Sequence, residues 1–271
     1  MRNKRLTLFH VTDPHFDYLP RFGYDQFVSR LKTKDFSALI ITGDICDGPY
    51  APKHLARLAN DIKKDIYFVL GNHDYYNTTS EFSQSISAAA YEGNKWLHYL
   101  TSAVNPTILR DTSIGGLALV GHDGFYDGIS GKGARSTAQL VDFRANYDFA
   151  GKNKFNVMYD MAANATRQIE DKLVAAAERV KTILVATHVP PFPDAALFNG
   201  KPSGEDFIPF YSCSIMGRML KHFAKAHPDH MIFVLCGHTH SHTSMNISDN
   251  LTVFVGGARV GETPVIREMS L

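Results

Sequence analysis

Five short polar segments rich in Asp, His and Asn recur along the chain, and each directly follows an apolar run typical of a buried strand. The segments are 13–15 (Asp-Pro-His), 43–47 (Gly-Asp-Ile-Cys-Asp), 71–74 (Gly-Asn-His-Asp), 187–190 (Thr-His-Val-Pro) and 237–240 (Gly-His-Thr-His). Apolar strands that alternate with helices favour a largely parallel sheet covered on both faces. Because ligands bind beyond the carboxyl ends of such strands, this order predicts that all five segments converge on one site.

The elements around these segments follow from the period of the apolar residues. The predicted strands are 6–11, 38–41, 66–70, 107–109, 117–120, 182–186, 231–235, 242–247, 251–255 and 265–268. The predicted helices are 24–34, 52–64, 80–90, 94–100, 157–180 and 213–226, with loops over 121–154 and 192–210. This order predicts an α/β fold with a mixed sheet, or two sheets packed face to face, between helices.

Composition narrows the class of protein. With 271 residues, 44% hydrophobic and 20% charged, the chain can bury a full core, and a net charge of +1 gives no general attraction to nucleic acid or membranes. No apolar run reaches the roughly 18 residues of a membrane span. The basic N-terminus lacks a signal-peptide cleavage pattern, and three dispersed cysteines favour a reducing compartment. We therefore expect one cytoplasmic domain over 1–271, with cap or specificity insertions near 76–154 and 192–211.

The polar segments supply seven candidate metal ligands: Asp13, His15, Asp44, Asn72, His188, His238 and His240. Carboxylate and imidazole groups suit Mn, Fe, Zn or Mg, and seven ligands suit two ions that share a bridging carboxylate. In extended chain, Asp13 and His15 would share a side, as would His238 and His240. A lone histidine is more often an ordinary core or surface residue, but five ordered segments at strand ends favour a metal site.

The ordered motifs D-x-H, G-D-x-x-D, G-N-H-D, H and G-H-x-H resemble those of the calcineurin-like metallophosphoesterases, from Asp13 to His240. The resemblance implies a four-layer β-sandwich of mixed sheets flanked by helices. It implies one ion on Asp13, His15, Asp44 and His240, and a second on Asp44, Asn72, His188 and His238, with Asp44 bridging. It also implies that His73 is the catalytic histidine and that Asp47 orients it.

Hydrolysis of a small-molecule phosphate ester follows from such a site. Two ions neutralise phosphate oxygens and acidify a bridging water, whose hydroxide is the nucleophile. His73 then protonates the leaving oxygen as general acid. The other interpretation of Asp47 is a turn residue before Gly48, and we expect Asp74 to support the site rather than bind metal.

The residue after the second aspartate of G-D-x-x-D bears on the substrate. The family's protein phosphatases carry an arginine there, and this chain has Gly48. Without a guanidinium there to clamp a phosphomonoester, we expect small, nucleotide-type phosphodiesters to be the preferred substrates. Phosphomonoesters and phosphoproteins remain the alternative substrates. A nuclease would show a basic stripe. A non-catalytic metal-binding scaffold would be expected to lack His73 or several ligands, all of which are present.

Weaker signals concern the walls of the cleft. The glycine-rich loop 121–128 makes His122 and Tyr126 candidate substrate contacts, although an ordered surface turn would have the same composition. Arg135 and Arg144 are candidate phosphate clamps. The segment 192–211 is a candidate second wall, with Phe192, Phe198 and Phe207 as its aromatic residues.

Overall fold

Two mixed β-sheets pack face to face, with helices outside each, in a computed structural model that describes residues 6–110, 116–151 and 153–269. The predicted four-layer arrangement is therefore confirmed. Residues 1–5, the basic start of the segment in which we expect no signal peptide, lie outside the described residues. No helix among the described residues is both long enough and apolar enough to cross a bilayer.

Within the described residues, the strands in chain order are β1 (Leu8–Val11), β2 (Ala38–Thr42), β3 (Asp65–Val69), β4 (Leu97–Tyr99), β5 (Thr107–Leu109), β6 (Leu117–Gly121), β7 (Thr182–Ala186), β8 (Leu197–Phe198), β9 (Lys201–Pro202), β10 (Met231–Cys236), β11 (Thr243–Ser248), β12 (Leu251–Val255) and β13 (Arg267–Met269). The α-helices are α1 (Arg21–Lys32), α2 (Ala51–Ile62), α3 (Ser80–Glu92), α4 (Asp142–Ala145), α5 (Lys154–Ala177) and α6 (Ser214–Ala226).

The first sheet has the order β13-β1-β2-β3-β4, in which β1 to β4 run parallel and β13 is antiparallel at the edge. The second has the order β11-β12-β10-β7-β6-β5, in which the four inner strands run parallel and the two edges are antiparallel. The parallel strands of each sheet therefore end together, which is what the placement of the polar segments requires.

Strand alternation divides the core into layers. Leu8 and Ile40 of the first sheet meet Leu119 and Leu184 of the second in one buried cluster between the sheets. Neighbouring residues in the same strands, such as Phe9, point the other way and join the cluster that includes the helices. Strands buried on both faces must be apolar throughout, which explains their continuous apolar runs.

The helices follow the predicted signals closely. Pro52 lies in the first turn of α2, where its missing N–H costs nothing, and Lys63 ends the helix in the left-handed region with φ 52°. The helix α5 covers the second sheet, and its buried Lys172 ammonium donates to the carbonyls of Leu100 and Gly121, each at 2.8 Å. That one side chain fixes α5 to the ends of strands in both sheets.

One predicted element is wrong. The segment 94–100 was expected to be helical, but Leu97–Tyr99 forms β4 and pairs in parallel with β3. Leu97 and Tyr99 are buried and alternate with the half-buried His98, so the period is two. The apolar run is too short for its period to distinguish helix from strand, and pairing with β3 decides it.

The segment predicted as a long loop over 192–210 has internal structure. The strands β8 and β9 pair as a short antiparallel hairpin, and 3-10 turns flank it at Pro193–Ala195 and Ile208–Phe210. The turn of the hairpin is Asn199-Gly200, both left-handed, which is the pattern of a two-residue hairpin loop. This hairpin forms part of one wall of the candidate site.

Candidate metal centre

The polar segments meet where the parallel strands of both sheets end. Ligand-capable atoms lie within 4.8 Å of one another in two groups that share one residue. The first group is Asp13, His15, Asp44 and His240, and the second is Asp44, His188 and His238. Asn72 adjoins the second group through its Oδ1. All seven residues singled out from the sequence are thus brought together.

Asp44 lies between the two groups. Its Oδ1 is 3.3 Å from His188 Nε2, and its Oδ2 is 3.9 Å from His15 Nε2, so each oxygen faces a different group. Burial opposes ionisation of this carboxyl, but the charges of His188 and His73 outweigh burial and hold its pKa well below its usual range. The side chain is therefore a buried anion available to two sites.

In the second group, hydrogen bonds to backbone carbonyls aim the other ring nitrogens toward the centre. His188 Nδ1 donates to the carbonyl of Thr42 at 2.8 Å, and His238 Nε2 donates to that of Phe210 at 2.8 Å. The opposite ring nitrogens, His188 Nε2 and His238 Nδ1, lie 3.0 and 2.9 Å from Asn72 Oδ1, itself an acceptor. A divalent ion bound between these atoms would take the place of the proton on His188 Nε2, and two imidazole nitrogens beside an amide oxygen are donors that such an ion accepts.

The first group contains buried ring nitrogens that lack hydrogen-bond partners among the described residues. These are the two ring nitrogens of His15. Buried polar atoms rarely stay unpaired, and imidazole nitrogen is a common metal ligand. His240 Nε2 lies 3.2 Å from Asp13 Oδ1, which brings a carboxylate and an imidazole to the same point. These donors fit a divalent ion.

The expectation that His238 and His240 share a side is wrong, whereas Asp13 and His15 do meet in one group, although neither pair is extended. These four residues and Asp44 adopt left-handed φ values between 38° and 71°. A left-handed residue turns the chain and destroys the period of two, so His238 and His240 belong to different groups. Each such residue costs about 1–3 kcal/mol unless its surroundings hold it.

Backbone hydrogen bonds hold these turns. Asp13 N donates to the carbonyl of Gly43 and His15 N to that of Asp44, each at 3.1 Å. Gly71 packs so close to the Asp44 carboxylate that a Cβ there would collide with Oδ1. The strained residues are thus fixed by a neighbouring loop that only glycine lets approach.

A third carboxylate, Asp74, ties two of these loops together. It accepts from Ile45 N and Cys46 N at 3.1 Å and from Gly71 N at 2.8 Å. The residue supports the loops that carry Asp44 and Asn72, which is the kind of role expected for it. Its removal would leave three buried N–H groups without acceptors.

Two further carboxylates support the site, and the sequence analysis missed both. Asp142 Oδ1 accepts from Asn72 Nδ2 at 2.7 Å, which turns the amide oxygen of Asn72 toward the second group. Asp123 accepts from Leu70 N at 2.7 Å, and its carbonyl accepts from His188 N at 3.0 Å. Asp123 is the second residue after β6, so its position near a strand end was a usable signal. Asp142 lies 70 residues from Asn72, and no local pattern connects them.

His73 and Asp47 form a pair at the edge of the first group. His73 Nδ1 lies 2.7 Å from Asp47 Oδ1, and Tyr18 OH donates to Asp47 Oδ2 at 2.7 Å. Burial disfavours the charged ring, but the Asp44 charge and the Asp47 hydrogen bond outweigh burial and raise the pKa of His73 to about 9. His15, Asp47 and His73 also lie within 4.8 Å of one another, but the short hydrogen bond already uses two of their atoms.

An open cleft of about 710 Å³ lies over the two groups. Asp44, Asn72, His73, His238 and His240 line it, together with Tyr76, Asp142, Tyr211 and Arg259. Arg259 follows β12, is exposed and was not singled out from the sequence. Gly48, where the protein phosphatases carry arginine, is left-handed with φ 76°, a conformation that disfavours any side chain.

The predicted substrate contacts lie elsewhere. His122 and Tyr126 are buried, and neither is among the residues that line the cleft. Tyr126 OH instead donates to Asp142 at 3.2 Å, so it supports the residue that orients Asn72. Arg135 and Arg144 are exposed on short turns and do not line the cleft either.

Comparisons with known proteins agree with this geometry. The family model described as calcineurin-like phosphoesterase matches residues 6–242. No curated protein sequence matches the chain.

Among solved structures, phosphopantetheinyl hydrolase from Mycobacterium tuberculosis is similar, with 14% identity, a TM-score of 0.65, and coverage of 94% of this chain and 90% of that one. A dimetal phosphatase from Danio rerio has 14% identity, a TM-score of 0.54, and coverage of 95% and 88%. An anchor protein of the inner membrane complex of Plasmodium has 10% identity, a TM-score of 0.55, and coverage of 98% and 81%. At these identities the likeness is one of fold.

Asp142→Ala should weaken the binding of a divalent ion at the second group. Without its acceptor, the Asn72 amide loses the bond that fixes its oxygen inward, and loss of such an outer partner typically costs about 10–100-fold in metal affinity. Calorimetric titration of metal-free protein with Mn²⁺ measures this. Asp160→Ala, an exposed carboxylate on α5, is the matched control and should titrate as wild type. Unchanged affinity in Asp142→Ala would contradict the assigned role.

Proposed function

The chain belongs to the calcineurin-like phosphoesterase family, and from that premise we propose that its metal centre hydrolyses small phosphodiesters of the nucleotide type, using two divalent ions. One observation supports this above the others. The two oxygens of the buried Asp44 carboxylate face separate groups of ligand atoms, beside the His73–Asp47 pair. A bridging carboxylate next to a paired histidine is the arrangement that two-metal phosphoester hydrolysis needs.

In this proposal each group holds one ion. Asp13, His15, Asp44 and His240 hold the first, and Asp44, Asn72, His188 and His238 the second. Two ions bound there would neutralise the phosphate oxygens and acidify a water between them. The mixture of carboxylate, amide and imidazole suits Mn, Fe, Zn or Mg.

His73 supplies the proton. Its Nδ1 faces Asp47, which leaves Nε2 as the nitrogen toward the cleft. In the charged form Nε2–H can donate to the oxygen that leaves phosphorus. Asp47 holds the ring orientation and favours the charged form, and Tyr18 holds Asp47 in turn.

The charges of the cleft favour a diester. Asp142 adds a carboxylate to the lining, and Gly48 offers no guanidinium to clamp a phosphate dianion. A monoester carries about one more negative charge than a diester at neutral pH, so it meets more repulsion. Phosphomonoester hydrolysis remains the second candidate because Arg259 lines the same cleft and could replace the missing clamp.

The fold alone does not decide between catalysis and scaffolding, since one structural neighbour is described as an anchor. The complete set of ligand-capable residues, together with His73 and Asp47, supports catalysis here. A purely structural role would not require a proton donor oriented at the mouth of the cleft.

We also propose that the enzyme works in the cytoplasm, without nucleic acid or membrane as a partner. Cys46, Cys213 and Cys236 are free and buried, which suits a reducing compartment. The net charge of +1 offers no general attraction to polyanions.

Metal content tests the two-ion part of the proposal. Elemental analysis of protein loaded with Mn²⁺ should find about two equivalents per chain, and chelation should abolish turnover. Asp44→Asn should lower occupancy of both sites, because Asp44 is the one ligand that they share. Asp160→Asn should keep both ions. One equivalent or fewer, with turnover that survives chelation, would exclude a two-ion enzyme.

A substrate pair tests the preference for diesters. Bis-p-nitrophenyl phosphate should give a higher kcat/KM than p-nitrophenyl phosphate, because the diester carries less charge into a cleft lined by Asp142. Both release the same product, so absorbance measures both. A monoester preference of about tenfold or more, a difference of about 1.4 kcal/mol, would reverse the ranking of the two candidates.

His73→Ala tests the proton donor. Metal content should stay near that of wild type, while kcat on a diester with a poor leaving group should fall by roughly 10²–10⁴-fold. The loss should be smaller with p-nitrophenolate, which departs with little need for a proton. Asp47→Asn should show the same pattern more weakly. Equal losses on both leaving groups, or loss of metal, would assign His73 to the metal site or to substrate binding instead.

A further inference from the structure

Three aromatic side chains form an exposed surface beside the metal cleft. This aromatic shelf consists of Phe198, Phe207 and Tyr211, all from the segment predicted as a second wall of the site. Phe198 is 52% and Phe207 43% exposed, whereas Phe192 of the same segment is buried. A contiguous patch of solvent-exposed apolar side chains beside a polar cleft commonly marks a binding site.

The rings are arranged like a platform. The centroids of Phe198 and Tyr211 lie 6.1 Å apart and those of Phe207 and Tyr211 6.0 Å apart, with 30° between the planes in each pair. The three rings line a pocket of about 480 Å³, together with Asn199 and Lys201 at its polar edge. Such nearly aligned rings suit a flat partner better than a bulky branched one.

The shelf continues directly from the metal cleft. Phe198, Asn199 and Tyr211 line both the cleft and the aromatic pocket. The Tyr211 ring meets the ring of His238 edge-on, with centroids 5.6 Å apart and planes at 83°. A group stacked on the shelf is thus one aromatic ring away from a residue proposed to hold the second ion.

The segment that carries the shelf is held on both sides. Gly200 N, at the tip of the β8–β9 hairpin, donates to Ser241 Oγ at 3.3 Å, next to His240. Beyond the hairpin, the Asp206 carboxylate accepts from Lys132 and from Thr137 N. A surface held in this way loses little conformational entropy when a ligand binds.

We propose that the aromatic shelf binds the planar base of a nucleotide-type ester whose phosphate lies at the metal centre. The proposal rests on the proposed function for the position of the phosphate. Stacking on aromatic side chains is the usual way in which proteins hold an unpaired base. Asn199 and Lys201 supply hydrogen-bonding groups for the edge of the base, which an alkyl group could not use.

The experiment compares two ligands that differ only by the base. Adenosine 5′-monophosphate and ribose 5-phosphate are titrated calorimetrically into Mn²⁺-loaded protein, and kcat/KM replaces Kd for any probe that is turned over. Wild type should bind the adenosine compound about tenfold or more tightly, in line with stacking energies per base. Phe198→Ala and Phe207→Ala should each reduce that preference severalfold. Phe207 lines only the aromatic pocket, so Phe207→Ala should also leave the affinity for ribose 5-phosphate unchanged.

Two controls make the result specific. Phe22→Ala removes a phenyl group that is 77% exposed on α1 and does not line the cleft, so it should change neither affinity. The probe n-octyl phosphate offers an apolar group without a ring and should bind more weakly than the adenosine compound. Equal affinities for adenosine 5′-monophosphate and ribose 5-phosphate would overturn the proposal, as would octyl phosphate binding as tightly and losing as much in Phe198→Ala.

The outcome separates the shelf from the proposed function. Preference for the base without any hydrolysis of diesters would support the shelf and contradict the diester enzyme. Hydrolysis of diesters without preference for the base would support the diester enzyme and contradict the proposed base site on the shelf.

Discussion

The buried carboxylate of Asp44 is the interaction on which the site depends. It is 1% exposed, and its two oxygens face His188 and His15, while the backbone N–H of His73 donates to Oδ1 at 2.9 Å. An anion in such a place is costly unless positive charge surrounds it. His188 and His73 supply that charge, and the left-handed backbone and the close approach of Gly71 give the surrounding loops the required geometry. Two divalent ions, if bound there as proposed, would supply still more positive charge.

The contact between the two sheets is what brings the groups together. The first sheet contributes Asp13, Asp44 and Asn72 from its strand ends, and the second contributes His188 and His240. Neither sheet by itself holds all the residues of either group. Packing of the apolar inner faces therefore decides the relative positions of the polar segments, since packed cores resist displacement. Stability and the capacity for metal binding share one origin in this fold.

The choice of substrate would depend on other residues, those that line the cleft around the metal centre. The known folds of this kind include proteins named as a hydrolase, a phosphatase and an anchor, so the scaffold tolerates different uses. Here the walls place Asp142 and Arg259 in the lining and the aromatic shelf beside it. These residues lie outside the recurring motifs and come from segments between the strands. In the proposed function, the charge and shape of the substrate would thus be recognised by segments that lie outside the regular strands.

The sequence by itself determined most of the strands, the order of the polar segments and the seven residues that meet at the centre, because apolar period and position at a strand end are local properties. Tertiary structure decided that 94–100 contains a strand and that Asp142 orients Asn72 across 70 residues. It likewise decided that left-handed turns aim His238 and His240 at the two groups that the family resemblance implied. It also decided that Tyr126 supports the site from beneath while Phe198 and Phe207 face the solvent. These outcomes depend on strand pairing, left-handed turns and packing between distant segments, and no period along the chain encodes them.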